Sequence, residues 1–88
     1  MENMPTLEHA LEALRGWRDG PSADIHDVLQ FFRFAHLPAD LQTRSKMFAD
    51  LAVVVACGPK NPETVVALRK LLESKDAAVR ATIYRVGG

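Results

Sequence analysis

One cysteine, Cys57, is all the sequence holds, so no internal disulfide framework can form and a reducing compartment is expected. Of the histidines, His9, His26 and His36, none stands at i, i+4 from another or from Cys57, so zinc-ligand spacing is absent and no metal site is expected. His9 lies between Glu8 and Glu12 and His26 between Asp24 and Asp27, a pattern that reads as solvated helix faces. Cys57 is expected as a buried, inert thiol. The five glycines form no phosphate-cradling loop. No general base, nucleophile pair or metal centre emerges, so the expectation is a binding or assembly protein and no enzyme, with no cofactor. Net charge is missing too: eleven Lys and Arg balance eleven Asp and Glu, which argues against a protein that grips long nucleic acid by counterion release. The longest apolar run, Leu51 to Cys57, is far short of the ~20 residues of a membrane span. The opening MENMPTLEHALEAL starts acidic and has no basic and then apolar leader pattern. A soluble, cytoplasmic protein is expected.

What is present is ordinary globular composition, 48% hydrophobic and 25% charged over 88 residues. One small domain fits that length. Such a chain buries only about 60% of its unfolded surface, which makes oligomerisation an expected supplement to the core. Charge is distributed unevenly along the chain. Residues 1–30 carry two arginines against six acids, a net −4, residues 31–58 a net +1, and residues 59–88 six bases against three acids, a net +3. An anion is to be sought in the C-terminal part.

The periodicity is helical throughout. Thr6 is placed to cap a helix with Leu7, Ala10, Leu11, Leu14 and Trp17 on one face, ending near Arg18 before Asp19-Gly20-Pro21. Ser22 or Asp24 is placed to cap a second, through Ile25, Val28, Leu29 and Phe32, stopping around residues 34–36 because Leu37 precedes proline. Pro38 suits the first turn of a third helix, with Leu41, Ser45, Phe48, Ala52 and Val55 at heptad spacing and a second stripe of Met47, Leu51 and Val54 beside it. Gly58-Pro59 ends that helix. Asn61-Pro62-Glu63 then supplies a cap, a proline and an acid at the start of a fourth, whose seam is Val65, Leu68, Leu72, Val79 and Ile83. The predicted fold is all-α: an antiparallel helical hairpin over about residues 38–83, preceded by one or two shorter helices, in a homo-oligomer. Two helices cannot bury two stripes each, so the extra face is expected to meet both the N-terminal helices and another copy.

The most informative stretch is QFFRFAHLPADLQTRSKMF, residues 30–48. Successive helical residues turn by about 100°, so Phe31, Phe32 and Phe34 cannot all face one core. Phe34 stands at a helix end, beside a turn with His36 and Pro38, with Arg44 and Lys46 one to two turns into the next helix. Either it plugs the base of the hairpin and the cations are solvated, or it offers an aromatic plate beside cations, as a nucleobase with its phosphate requires. Farther on, Arg69, Glu73, Asp76 and Arg80 share one helix face. They form either an ion-pair ladder or a set in which Arg69, Arg80 or both point at phosphates.

FRFAHLP, LQTRSKMFADLA and above all NPETVVALRKLLESKDAAVRA resemble a family of small bacteriophage proteins that sequester cyclic oligonucleotides, the anti-CBASS sponges. That family shares its helical hairpin with anti-Thoeris sponges, which capture cyclic ADP-ribose isomers. The resemblance covers residues 31–83. It implies a compact hexamer of hairpins in the cytoplasm of an infected bacterium, soaking up immune second messengers, cyclic dinucleotides and/or trinucleotides, without cleaving them. Dinucleotide pockets would lie between protomers and trinucleotide sites near three-fold axes. The family's aromatic-x-His-Leu-Pro turn matches Phe34, His36 and Pro38 here, its Ser-Lys-x-Phe lysine matches Lys46, and its basic positions in the last helix match Arg69 and Arg80. These six are the implied ligand-binding residues. Phe34 stands where the family often has tyrosine, so the phenolic hydroxyl is lost, and Met47 stands where it often has proline. Residues 31–88 thus read as the sponge-like domain and residues 1–30 as an N-terminal helical arm whose negative charge is expected on an outer surface, away from the anion. The alternative is a helical interaction module or adaptor that inhibits a host defence protein.

Overall fold

A computed structural model describes residues 5–85; residues 1–4 and 86–88, the outer ends of the two predicted units, lie outside the described residues. Four α-helices, α1 (Leu7–Leu14), α2 (Gly20–Leu29), α3 (Ala39–Ala56) and α4 (Pro62–Thr82), are joined with one 3-10 turn, Gln30–Phe32, directly after α2. No strand occurs among the described residues. The expected all-α class is what the chain adopts. No helix of the described residues is long and apolar enough to cross a membrane.

Local chemistry sets the helix starts. Thr6 Oγ1 accepts the His9 N–H at 3.2 Å, and Glu8 places an acid in the first turn of α1, where the helix dipole favours it. Asn61 Oδ1 accepts the Thr64 N–H at 3.0 Å while the Thr64 hydroxyl donates to the Pro59 carbonyl at 2.7 Å. The cap on α4 is therefore the expected one. Pro38 stands one place earlier than predicted, as the N-cap residue of α3, where its carbonyl accepts from Leu41 and Gln42 at 3.0 and 2.9 Å.

The first two helices depart from expectation. Helix α1 stops at Leu14, not near Arg18, because Arg15 turns extended and Gly16 takes a φ of 95°, a left-handed value that ends the helical path. Trp17 consequently lies beyond the helix and is exposed. Helix α2 begins at Gly20 with Pro21 in its first turn, and neither Ser22 nor Asp24 caps it. It ends at Leu29, and the 3-10 turn tightens the chain before extended Arg33.

One core serves all the helices. Ile25, Leu29 and Phe32 are fully buried with Leu68 of α4, flanked by Ala10, Leu11 and Leu14 of α1. Helix α3 contributes Ser45, Ala49, Ala52, Val53 and Ala56, a face rotated from the predicted heptad and built mostly of small residues. Small side chains let neighbouring helices approach closely, so Phe48 and Val55 pack only partly buried at the edges. The second stripe stays outside: Met47, Leu51 and Val54 are 54%, 50% and 47% exposed. Along α4 the seam is buried at Val65 and Leu68 and partly buried at Leu72 and Val79, while Ile83 is exposed.

Candidate functional site

The chain leaving the 3-10 turn makes a tight bend that α3 holds in place. The Leu37 N–H donates to the Phe34 carbonyl at 3.0 Å. From the first turns of α3, Gln42 Nε2 donates to the Leu37 and Ala35 carbonyls at 2.7 and 3.3 Å. The bend is thereby pinned at both ends, and Phe34, Ala35 and His36 form one wall of a cleft of about 840 Å³. Lys46, Asp50, Leu51 and Val54, spaced for one face of α3, form the second wall. The third is the start of the N-terminal arm, Pro5 to Glu8.

Three predicted residues, Phe34, His36 and Lys46, therefore converge on one cleft. Phe34 is half-buried against the core with one side left to the cleft. Pro38 shapes the bend from outside the lining. Arg69 and Arg80 on α4 do not line this cleft. Among the described residues they also form no ion pair, so the ladder, one of the two alternatives, is not made; Asp76 pairs instead with neighbouring Lys75 at 3.1 Å, and Lys75 Nζ donates to the Phe31 carbonyl at 3.2 Å.

Two charged pairs that the sequence did not single out complete the lining. Arg33 donates from Nε to Glu8 Oε2 at 3.1 Å and from a terminal nitrogen to Oε1 at 3.3 Å, a two-point fork between residues 25 positions apart. The Arg33 guanidinium hydrogen-bonded to Glu8 holds that carboxyl below the usual glutamate range, and Glu8 raises the Arg33 pKa in return. Across the cleft lining, Lys46 Nζ donates to Asp50 Oδ2 at 2.6 Å. The negative arm is thus not on an outer surface away from the predicted site: its first turn is in the cleft lining, made tolerable there by Arg33, which balances Glu8. No local spacing links Glu8 to Arg33, so periodicity gave no sign of them.

A smaller cavity of about 240 Å³ lies between α1 and the end of α3, with Trp17, Cys57 and Lys60 in its lining. Cys57 is exposed, contrary to the buried thiol expected, because it follows α3's last buried residue, Ala56, at the helix end. The Lys60 ammonium donates to the Ala56 and Gly58 carbonyls, covering the orphan acceptors there. Among the described residues no group of three or more His, Cys, Asp or Glu is placed to hold a metal. Compared with family models, curated proteins and solved structures, the chain matches none.

Proposed function

We propose that this protein is a non-enzymatic phage sponge that binds cyclic oligonucleotide second messengers, di- or trinucleotides, in the cleft between the Phe34–His36 bend, α3 and the start of α1. The observation that carries the reading is the convergence of Phe34, His36 and Lys46 on one concave surface of a size typical for small ligands. A half-buried aromatic ring beside an ammonium group suits a base with its phosphate: stacking contributes about 1 to 3 kcal/mol per base. A charge-assisted contact adds about 1.5 to 3 kcal/mol. Two of each total about 5 to 12 kcal/mol, a range whose upper end reaches the roughly −12 kcal/mol of nanomolar affinity.

The resemblance adds a homo-oligomer, a hexamer, of hairpins formed by α3 and α4 within residues 38–83. The short connection between those helices and their mutual packing support the hairpin, and the uncovered stripe Met47, Leu51 and Val54 supports self-association. Arg69 and Arg80, outside the cleft of their own chain, are then the residues a neighbouring protomer would bring to it. Cyclic ADP-ribose isomers present similar chemistry and belong in the same test. Isothermal titration against cyclic di- and trinucleotides and cyclic ADP-ribose isomers is expected to show tight binding, with intact ligand recovered on denaturation; silence across the panel sinks the proposal.

The same exposed stripe favours a second reading, a helical module that inhibits or adapts to a host defence protein. Light scattering after size-exclusion chromatography separates the two, because a monomer at micromolar concentration leaves the stripe for a different partner.

A further inference from the structure

Every full charge lining the cleft is already engaged. Glu8 and Arg33 form one pair and Lys46 and Asp50 the other, so the formal charges of the acids and bases in the lining cancel. We propose that Arg33 is a second phosphate-binding residue of this cleft and that Glu8 is an internal carboxylate stand-in, which occupies the guanidinium until a ligand phosphate displaces it. The inference rests on the cleft being the nucleotide site proposed above.

Geometry supports the exchange. Arg33 presents Nε and a terminal nitrogen to the two oxygens of one carboxylate, and the two non-bridging oxygens of a phosphodiester offer the same pair of acceptors. Both side chains are half or more exposed, 50% for Arg33 and 66% for Glu8, so neither partner is locked by burial and the pair is held weakly. Once displaced, Glu8 remains in the first turn of α1, where the positive helix end still favours its charge. Arg33 directly precedes Phe34, so a phosphate on the one is within a short reach of a base on the other.

Stoichiometry agrees. A cyclic dinucleotide carries two phosphodiesters, and the cleft holds two cations, Arg33 and Lys46, each with a carboxylate to release. Because Glu8 belongs to α1 and Arg33 to the segment after the 3-10 turn, the exchange also removes one polar tie between the start of α1 and that wall, while Leu7, Ala10 and Leu11 keep the helix on the core.

Calorimetric titration of the full chain with 3′,3′-cyclic GMP-AMP tests this, using E8Q, R33Q, R33K, K46A and, as a charge control, E12Q. Glu12 pairs with Arg15 at 3.3 Å on the same helix but does not line the cleft. R33Q is expected to weaken binding by about tenfold or more, and R33K by less. E8Q is expected to tighten it about two- to fivefold, with E12Q unchanged. A silent wild type with a binding E8Q also supports the stand-in role. Equal affinities for wild type, E8Q, E12Q and R33Q alongside a weakened K46A overturn the inference and leave the nucleotide site standing. No binding by wild type or E8Q across the cyclic di- and trinucleotide panel overturns both.

Discussion

Replacing Lys46 with alanine separates a ligand contact from a structural one. Lys46 reaches Asp50 one turn along α3 at 2.6 Å, with the two side chains 59% and 64% exposed. An exposed i, i+4 pair of this kind contributes about 0.3 to 0.5 kcal/mol, and alanine is at least as good a helix former as lysine. Folding stability is therefore expected to change by less than about 0.5 kcal/mol, a melting shift of no more than about 4 °C for a domain this size. Binding responds differently. A phosphate contact of about 1.5 to 3 kcal/mol, less the intramolecular pair given up, leaves about 1 to 2.5 kcal/mol, or a roughly 5- to 70-fold loss of affinity. Asp50→Asn acts on the same pair from the other side and is expected to tighten binding about twofold. Titration calorimetry reads both, with light scattering and circular dichroism confirming assembly and fold. Unchanged affinity in Lys46→Ala, with the oligomer intact, refutes the assignment. An affinity loss that tracks a melting drop of 10 °C or more would instead make Lys46 a structural residue.

Three further expectations follow from single features. Ser45 is buried on α3 with its hydroxyl unpartnered, and an unpaired buried polar group costs about 1 to 3 kcal/mol, so Ser45→Ala should stabilise the fold by about 1 kcal/mol; calorimetric melting should rise by about 4 to 8 °C, and a fall means that the hydroxyl is satisfied. Gly16 has a φ of 95° and open space around a built Cβ, so Gly16→Ala should lose about 1 to 2 kcal/mol through backbone strain alone, read as a lower urea midpoint with an unchanged slope. Glu8 is held below the ordinary glutamate range by its hydrogen bond to Arg33, so its contribution is complete above the unfolded value of about 4.3 and is lost as pH falls through the lowered folded value. The melting difference between wild type and Glu8→Gln should accordingly shrink across that acid window, and a difference that grows there contradicts the pair.

Apart from Gly16, the features fixed by neighbours in the chain were legible in the sequence, and features fixed by neighbours in space were not. Asn61-Pro62-Glu63 announces the start of α4 because cap, proline and acid act within one turn. Gly16 ends α1 four residues before the conspicuous Gly20-Pro21 pair, since the apolar repeat running on to Trp17 hides a single left-handed residue. On α3 two apolar stripes overlap, and periodicity alone cannot choose between them. Close helix approach selected the small side chains Ser45, Ala49, Ala52 and Ala56 and left Met47, Leu51 and Val54 outside.

The candidate site divides in the same way. Phe34, His36 and Lys46 fall within 13 positions, so one bend and one helical turn or two suffice to bring them together, and the local pattern carried that information. Glu8 and Arg33 meet only because α1 folds back across the bend, a contact over 25 residues that no spacing rule encodes. The neutral charge total has a corresponding meaning. Zero net charge counts against a protein that coats a long polyanion, where unpaired cations must outnumber acids over a broad face. It says little about a cleft whose cations are each held by a replaceable carboxylate. In the proposed binding mode the sum stays at zero in the free chain, and the cations would become available singly, as a phosphate takes the place of Glu8 or Asp50.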